Sequence, residues 1–194
     1  MKVTRERMAE NRLRILDAAG RLFREKGFEA VSVAEVTRAA GLTHGAFYGH
    51  FASKDALIAR VLADLLAEDR GEAAGLAPFL ARYLSPRHRD DPGAGCPTAA
   101  LAPETRHGSA EARAAMTAGV RAQLDRIIAA LPDLAPGERR RAAIGTCAAM
   151  VGALVIARSL DDPALSGEVL DETRGWIGAA LAAQAPAMPE AEAR

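Results

Sequence analysis

Apolar positions recur along this chain at the spacing of one helix face. In residues 5–26, Ile15, Ala19, Leu22 and Phe23 fall at i, i+4, i+7 and i+8, a single stripe, with Arg12, Arg14, Arg21 and Arg24 mostly off it. Gly27 stops this helix behind Lys26. A second helix opens at Ser32, where Ser32-Val33-Ala34-Glu35 fits a capping box, and runs to Ala40. Gly41 breaks it, and Leu42 supplies a buried anchor. Thr43 caps a third helix over 44–50, with Phe47 and Phe51 on its inner face. Ser53 caps a fourth, which continues through Leu57, Val61, Leu62 and Leu65. Weaker patterns predict helices over 74–84, 97–106, 110–131, 137–160 and 167–184. Ser109 and Ser166 serve as caps, Pro136 suits a first turn, and Gly108 and Pro132 act as breaks. Residues 85–95 read as a polar Pro/Gly loop.

Composition narrows the fold class. Alanine supplies 45 of the 194 residues, against eight aromatics. Alanine favours helices and disfavours strands, so the expectation is an all-α protein of about nine helices. The longest apolar stretch, Ala142 to Ala157, has 16 residues. About 20 are needed to span a bilayer, so it reads as a buried helix rather than a membrane segment. Two cysteines make no disulfide framework. The first residues carry no apolar run, and a cytoplasmic location is expected. The net charge is zero, yet residues 1–60 hold 11 Lys+Arg against 7 Asp+Glu, and residues 61–194 hold 14 against 18. Four of the five Phe and Tyr48 also lie in the first 51 residues. Two units with different tasks follow, the first basic and suited to an anionic partner.

Two short helices parted by about three residues around a glycine, resting on a longer helix, form a helix-turn-helix, which places its second helix in the DNA major groove. The outward positions of His44 to His50 suit that task. His44, Tyr48 and His50 can donate to phosphates or bases, while Gly45, Ala46 and Gly49 let a backbone approach closely. No acid occurs from 36 to 54. A small helical subdomain with incidental histidines is the competing reading.

The stretch Phe28-Glu29-Ala30-Val31-Ser32-Val33-Ala34-Glu35-Val36, followed by residues 39–57 with Gly41, Tyr48, Phe51, Ser53-Lys54 and Leu57, resembles the TetR/AcrR family of bacterial repressors. The resemblance covers roughly residues 8–65. It implies a homodimer with a DNA-binding domain over 1–55, its helix-turn-helix about 32–51. Residues 56–194 would form a C-terminal ligand-binding and dimerisation domain. It also implies a regulator, usually a repressor, that leaves a palindromic operator on double-stranded DNA when a small molecule binds. Ser32, Thr43, Tyr48, His50 and Lys54 match family positions that meet phosphates. His44, Gly45 and Ala46 stand at the variable, base-facing places, His44 reading a base edge or serving as a further phosphate contact. The tail Lys2–Arg7 either reaches neighbouring phosphates or frays.

Beyond residue 56 the signals thin. Helix 137–160 carries small residues, Ala142, Gly145, Ala149, Gly152 and Ala153, ahead of Ile156. Each glycine costs about 1 kcal/mol against alanine inside a helix, so close helix approach must offset it. In the family the last two helices pair with their symmetry mates. Gly145, Ala149, Gly152 and Ile156, with Thr173, Trp176, Ile177 and Ala180, are therefore the dimer-interface candidates; packing within one chain is the alternative. Phe79, Tyr83, Cys96, Leu101, Met116, Val120 and Met150 are candidate contacts for a mostly apolar effector, or simply core. Gly-Cys-Pro followed by Ala-Leu-Ala-x-Glu, residues 95–104, is similar to one branch of such C-terminal domains. Cys96, near Arg87, His88, Arg89 and His107, is either a sensor thiol or a small buried residue. A helical thiol-dependent redox protein using Cys96 and His107 is the rival function. No catalytic motif is present and no cofactor or metal is expected. His44 and His50, six apart on an α-helix, are turned about 600° from one another and cannot share an ion.

Overall fold

The computed structural model describes residues 4–68, 75–131 and 134–184. Among them are nine α-helices, two 3-10 turns and no strand. The helices are α1 (Arg5–Lys26), α2 (Val33–Ala39), α3 (Lys54–Ala67), α4 (Leu76–Tyr83), α5 (Pro86–Asp90), α6 (Pro97–Thr105), α7 (Ala110–Ala130), α8 (Pro136–Ser159) and α9 (Pro163–Ala182). The 3-10 turns are His44–Gly49 and Pro92–Ala94. The all-α class read from composition is the fold observed.

The expected caps are mostly in place. Ser32 accepts from the Glu35 amide at 3.1 Å, Ser53 from Ala56 at 3.1 Å, and Ser109 from Ala112 at 3.2 Å. Each satisfies an amide that the first helical turn leaves unpaired. Four expectations need correction. Residues 44–49 form a 3-10 turn rather than an α-helix, and Thr43 makes no side-chain capping bond there. Helix α9 starts at Pro163, capped by Asp162, and not at 167. Ser166 is buried and donates its hydroxyl to the Ala157 carbonyl at 2.7 Å, so it ties two helices together instead of capping one. Residues 86–90 are helical where a loop was expected. The expected break at Pro132 and the start at residue 74 lie outside the described residues.

The chain divides into two compact units, residues 1–69 with 87–123, and residues 70–86 with 124–194. The unit that holds the N-terminal helices thus also contains α3, α6 and the first part of α7, beyond residue 55. Its core joins Ile15, Ala19 and Phe23 of α1, Val36 of α2, Phe47, Phe51, and Leu57, Val61 and Leu62 of α3, with Leu101 of α6. Removing one such side chain from water contributes about 1.5–3 kcal/mol. Gly41 joins α2 to the segment leading into the 3-10 turn His44–Gly49 with φ of +67°, a left-handed conformation that L side chains rarely adopt. In the other unit α8 and α9 pack along one another, and Met150, Leu154, Leu170 and Ile177 are buried.

Helix α8 is only half of what its composition suggested. Ala142, Ala143, Cys147, Met150, Ala153, Leu154 and Ala157 are buried, but Ile144, Val155 and Ile156 are exposed. The stretch Gly137–Ser159 is long and apolar enough to cross a membrane because it is apolar on both faces.

Candidate nucleic-acid interface

The 3-10 turn His44–Gly49 is anchored by one buried side chain. Phe47 is wholly buried, and its ring stands 5.7 Å from Phe51 and 5.3 Å, edge-on, from Tyr48. In a 3-10 turn, with three residues per turn, burying Phe47 directs its neighbours outward. Tyr48 is 62% exposed, and its ring meets the exposed His44 edge-on at 5.7 Å. Gly45 is exposed, with no atom near the place its Cβ would take. Thr43 is exposed, while Ala46, His50 and Lys54 are half-buried. Ser32 is exposed at the start of α2. Thr43, His44, Gly45 and Tyr48 are therefore all open to solvent along this segment, with His44 and Tyr48 in contact, and the helix starts at Ser32 and Lys54 lie on either side of it in the sequence. That stretch bears hydroxyl, imidazole and ammonium groups and lacks acids from 36 to 54.

The 3-10 geometry overturns the opposite placing expected of His44 and His50 on an α-helix. Six residues make about two full turns at this pitch, so His44 and His50 are not on opposite sides by rotation alone. Among the described residues no three His, Cys, Asp or Glu side chains gather as a metal site.

Helix α1 also borders this surface, which periodicity did not reveal. The Arg12 guanidinium lies 4.6 Å above the Phe51 ring, a cation–π contact. A Cβ on Gly49 would rest 3.8 Å from the Met8 methyl. Lys26, in the last turn of α1, bonds Glu35 of α2 at 2.6 Å. That ammonium holds the Glu35 carboxyl below the ordinary carboxylate range, with help from the Ser32 amide and Arg38. The Ser32 amide contact completes the capping box. In return Glu35 raises the Lys26 ammonium.

The remaining candidates are dispersed. Phe79, Tyr83 and Met150 are buried in the unit of residues 70–86 and 124–194, the two rings 5.8 Å apart. Cys96, Leu101, Met116 and Val120 belong to the other unit, where Leu101 and Met116 pack into the core of α1, α2 and α3. Cys96 stands before α6, as expected, yet is only 2% exposed. Its amide donates to His88 Nε2 at 2.9 Å, so that nitrogen carries no proton, and Arg89 pairs with Asp90 at 2.7 Å. The cationic surroundings expected for a reactive thiol are thus partly spent. Cys147 is buried.

Of the interface candidates, Gly145, Trp176, Ile177 and Ala180 line one groove between α8 and α9. Ile177, 1% exposed, is already occupied within its own chain, which corrects its assignment to an outer surface. Trp176 at 62% and Ile156 at 52% are open, and nothing lies near the missing Cβ of Gly145 or Gly152. Gly145 and Gly152 are therefore unexplained by packing within the chain, whereas Ala142 and Ala153 are buried in it. Ala149 and Thr173 are half-buried.

Comparison with known proteins bears on the surface just described. Residues 15–61 match the profile of bacterial regulatory proteins of the tetR family. The chain is 41% identical over 58 residues to the HTH-type transcriptional regulator AcrR of Shigella flexneri, covering 30% of this chain and 27% of that protein. It is 41% identical over 56 residues to the HTH-type transcriptional repressor Rv1474c of Mycobacterium tuberculosis, covering 29% and 30%. It thus spans less than a third of these relatives' length. Among solved structures, a TetR-family transcriptional regulator from Agrobacterium tumefaciens superposes with a TM-score of 0.70 at 20% identity, covering 87% of this chain and 98% of that one. The reduced form of NemR from Escherichia coli does so at 0.67 and 23%, covering 86% and 94%. At such identity the likeness concerns the fold.

Proposed function

We propose that this chain, whose residues 15–61 match the profile of bacterial regulatory proteins of the tetR family, is a sequence-specific DNA-binding regulator of that family. It acts as a repressor and leaves a palindromic operator when a small, mostly apolar molecule binds. Residues 1–55 dock on double-stranded DNA, and residues 56–194 supply dimerisation and the effector site. The work is binding, not catalysis. The observation that carries this reading is the open surface of the 3-10 turn, in a stretch without acids from 36 to 54, with Tyr48 exposed and Phe47 pinned beneath it. Ser32, Thr43, Tyr48, His50 and Lys54 position the protein on phosphates, and His44, Gly45 and Ala46 face base edges.

A second copy of the chain is the partner that the α8–α9 face suits. Ile144, Gly145, Ala148, Gly152, Val155 and Ile156 recur three or four residues apart on the outer side of α8, beside the exposed Trp176. Glycines without near neighbours leave room for another helix. A bilayer fits this face poorly, because the adjoining α9 carries Glu168, Asp171 and Glu172 on its exposed side. Symmetry then sets two recognition turns against two half-sites.

The test is salt-dependent binding to duplexes enriched from a random pool. Affinity falls steeply as salt rises, because phosphate contacts release counterions. Tyr48→Phe weakens binding on all sequences alike, and Lys54→Ala lowers the salt slope by about 0.9 per head. A wild-type protein with no affinity for any duplex overturns the reading.

A further inference from the structure

We infer that Glu104, on α6, is a positioning residue for DNA binding: it fixes the junction between α1 and α2, and through it the direction in which each recognition turn faces. The inference rests on the reading that two heads of a dimer bind two half-sites.

The junction is built around this carboxylate. Helix α1 ends at Gly27, whose φ is +84°, and the Gly27 amide closes on the Phe23 carbonyl at 2.8 Å. The next amide, that of Phe28, donates to Glu104 Oε2 at 2.5 Å, across 76 residues of sequence. A Cβ on Gly27 would collide with the same carboxylate, so the glycine provides both the left-handed turn and the space that Glu104 fills. Phe28 is buried and its ring meets Phe23 edge-on at 5.3 Å. One end of Phe28 is thus held by α1 packing and the other by α6. From Phe28 only four residues lead to the start of α2 at Val33, and α2 carries the recognition turn.

A second tie lies upstream on the same segment. Arg24 Nε donates to the Gly93 carbonyl at 2.6 Å. Leu101, one helical turn before Glu104, sits in the core between α1 and α3. Arg24 holds the turn before α6 against α1, and Leu101 packs α6 into the same core; Glu104 alone among these contacts the backbone that turns into α2. A neutral apolar side chain there would leave the Phe28 amide without its acceptor and let the junction rotate. A glutamine retains an acceptor oxygen at the same reach, and an aspartate is one methylene short.

The consequence is separable from folding and from direct contact with DNA. Changing the direction of a head alters how two heads fit two fixed half-sites, but not how one head fits one. Three variants, Glu104→Ala, Glu104→Asp and Glu104→Gln, are compared with wild type on a full palindromic duplex and on a duplex holding a single half-site, well below their melting temperatures. Glu104→Ala and Glu104→Asp lose about tenfold or more on the full site, within the range of coupling between sites, and stay within about twofold on the half-site. Glu104→Gln binds both like wild type. Equal losses on both duplexes, or none on either, overturn the assignment, as does a Glu104→Gln that fails like Glu104→Asp. If Glu104→Ala does not fold, the aspartate and glutamine variants decide. A wild-type protein that binds neither duplex overturns the functional reading and this one with it, an outcome distinct from variant-specific failure.

Discussion

Gly45 and Phe47 stand two positions apart in the recognition turn and do opposite things. Phe47 is wholly inside the core, and Phe47→Ala should cost about 3–5 kcal/mol of stability, read from urea unfolding. Gly45 touches nothing, so Gly45→Val should leave the urea midpoint nearly unchanged while weakening duplex binding by about tenfold or more, since a branched side chain then stands where a groove must approach. Strong binding by Gly45→Val would place DNA elsewhere. Cys96 belongs to the Phe47 class. At 2% exposure it should react with a bulky thiol reagent far more slowly in the native protein than in urea, and rapid native labelling would restore a sensor role.

At the scale of elements, the joint between α1 and α2 has a pH dependence with a definite sign. Lys26 holds the Glu35 carboxyl below its ordinary value of 4.5. A lowered carboxyl stabilises the fold above that ordinary value, and the contribution disappears as pH falls through the lowered one. Glu35→Gln should therefore flatten the acid limb of stability against pH below about 4.5 and leave neutral pH little changed, checked by urea midpoints across that range. The capping box that places Glu35 was legible, since Ser and Glu three apart carry it in sequence, whereas its partner Lys26 lies across a turn. The same limit explains the other gaps. Phe47 and Phe51 satisfy an α-helical spacing, so the tighter 3-10 turn between two glycines left no trace in periodicity. Helix α5 has five residues and buries none of them, which gives no apolar face to detect. Asp162-Pro163 is a legible helix start, but Ser166 looked equally suitable until its hydroxyl was seen bonded to α8. The open surface around Tyr48 was readable from residue types; Arg12 over Phe51 and Glu104 on Phe28 required the tertiary fold.

For the whole molecule, the dimer proposed through the exposed face of α8 predicts a stability that depends on concentration. A dimer formed through Ile144, Val155 and Ile156 should melt at a higher temperature as protein concentration rises. Ile156→Glu puts charge on that face, and should yield a folded monomer by analytical ultracentrifugation whose melting no longer varies with concentration. A dimer that survives the change would place the interface elsewhere. The most direct test of DNA recognition is selection of bound duplexes from a random pool, using the full chain at moderate salt. The account predicts enrichment of an inverted repeat with its half-sites about one helical turn apart, lost when His44 and Tyr48 are both replaced by alanine. A pool that stays random after repeated rounds, or one whose enriched sequence is indifferent to those two side chains, would contradict it.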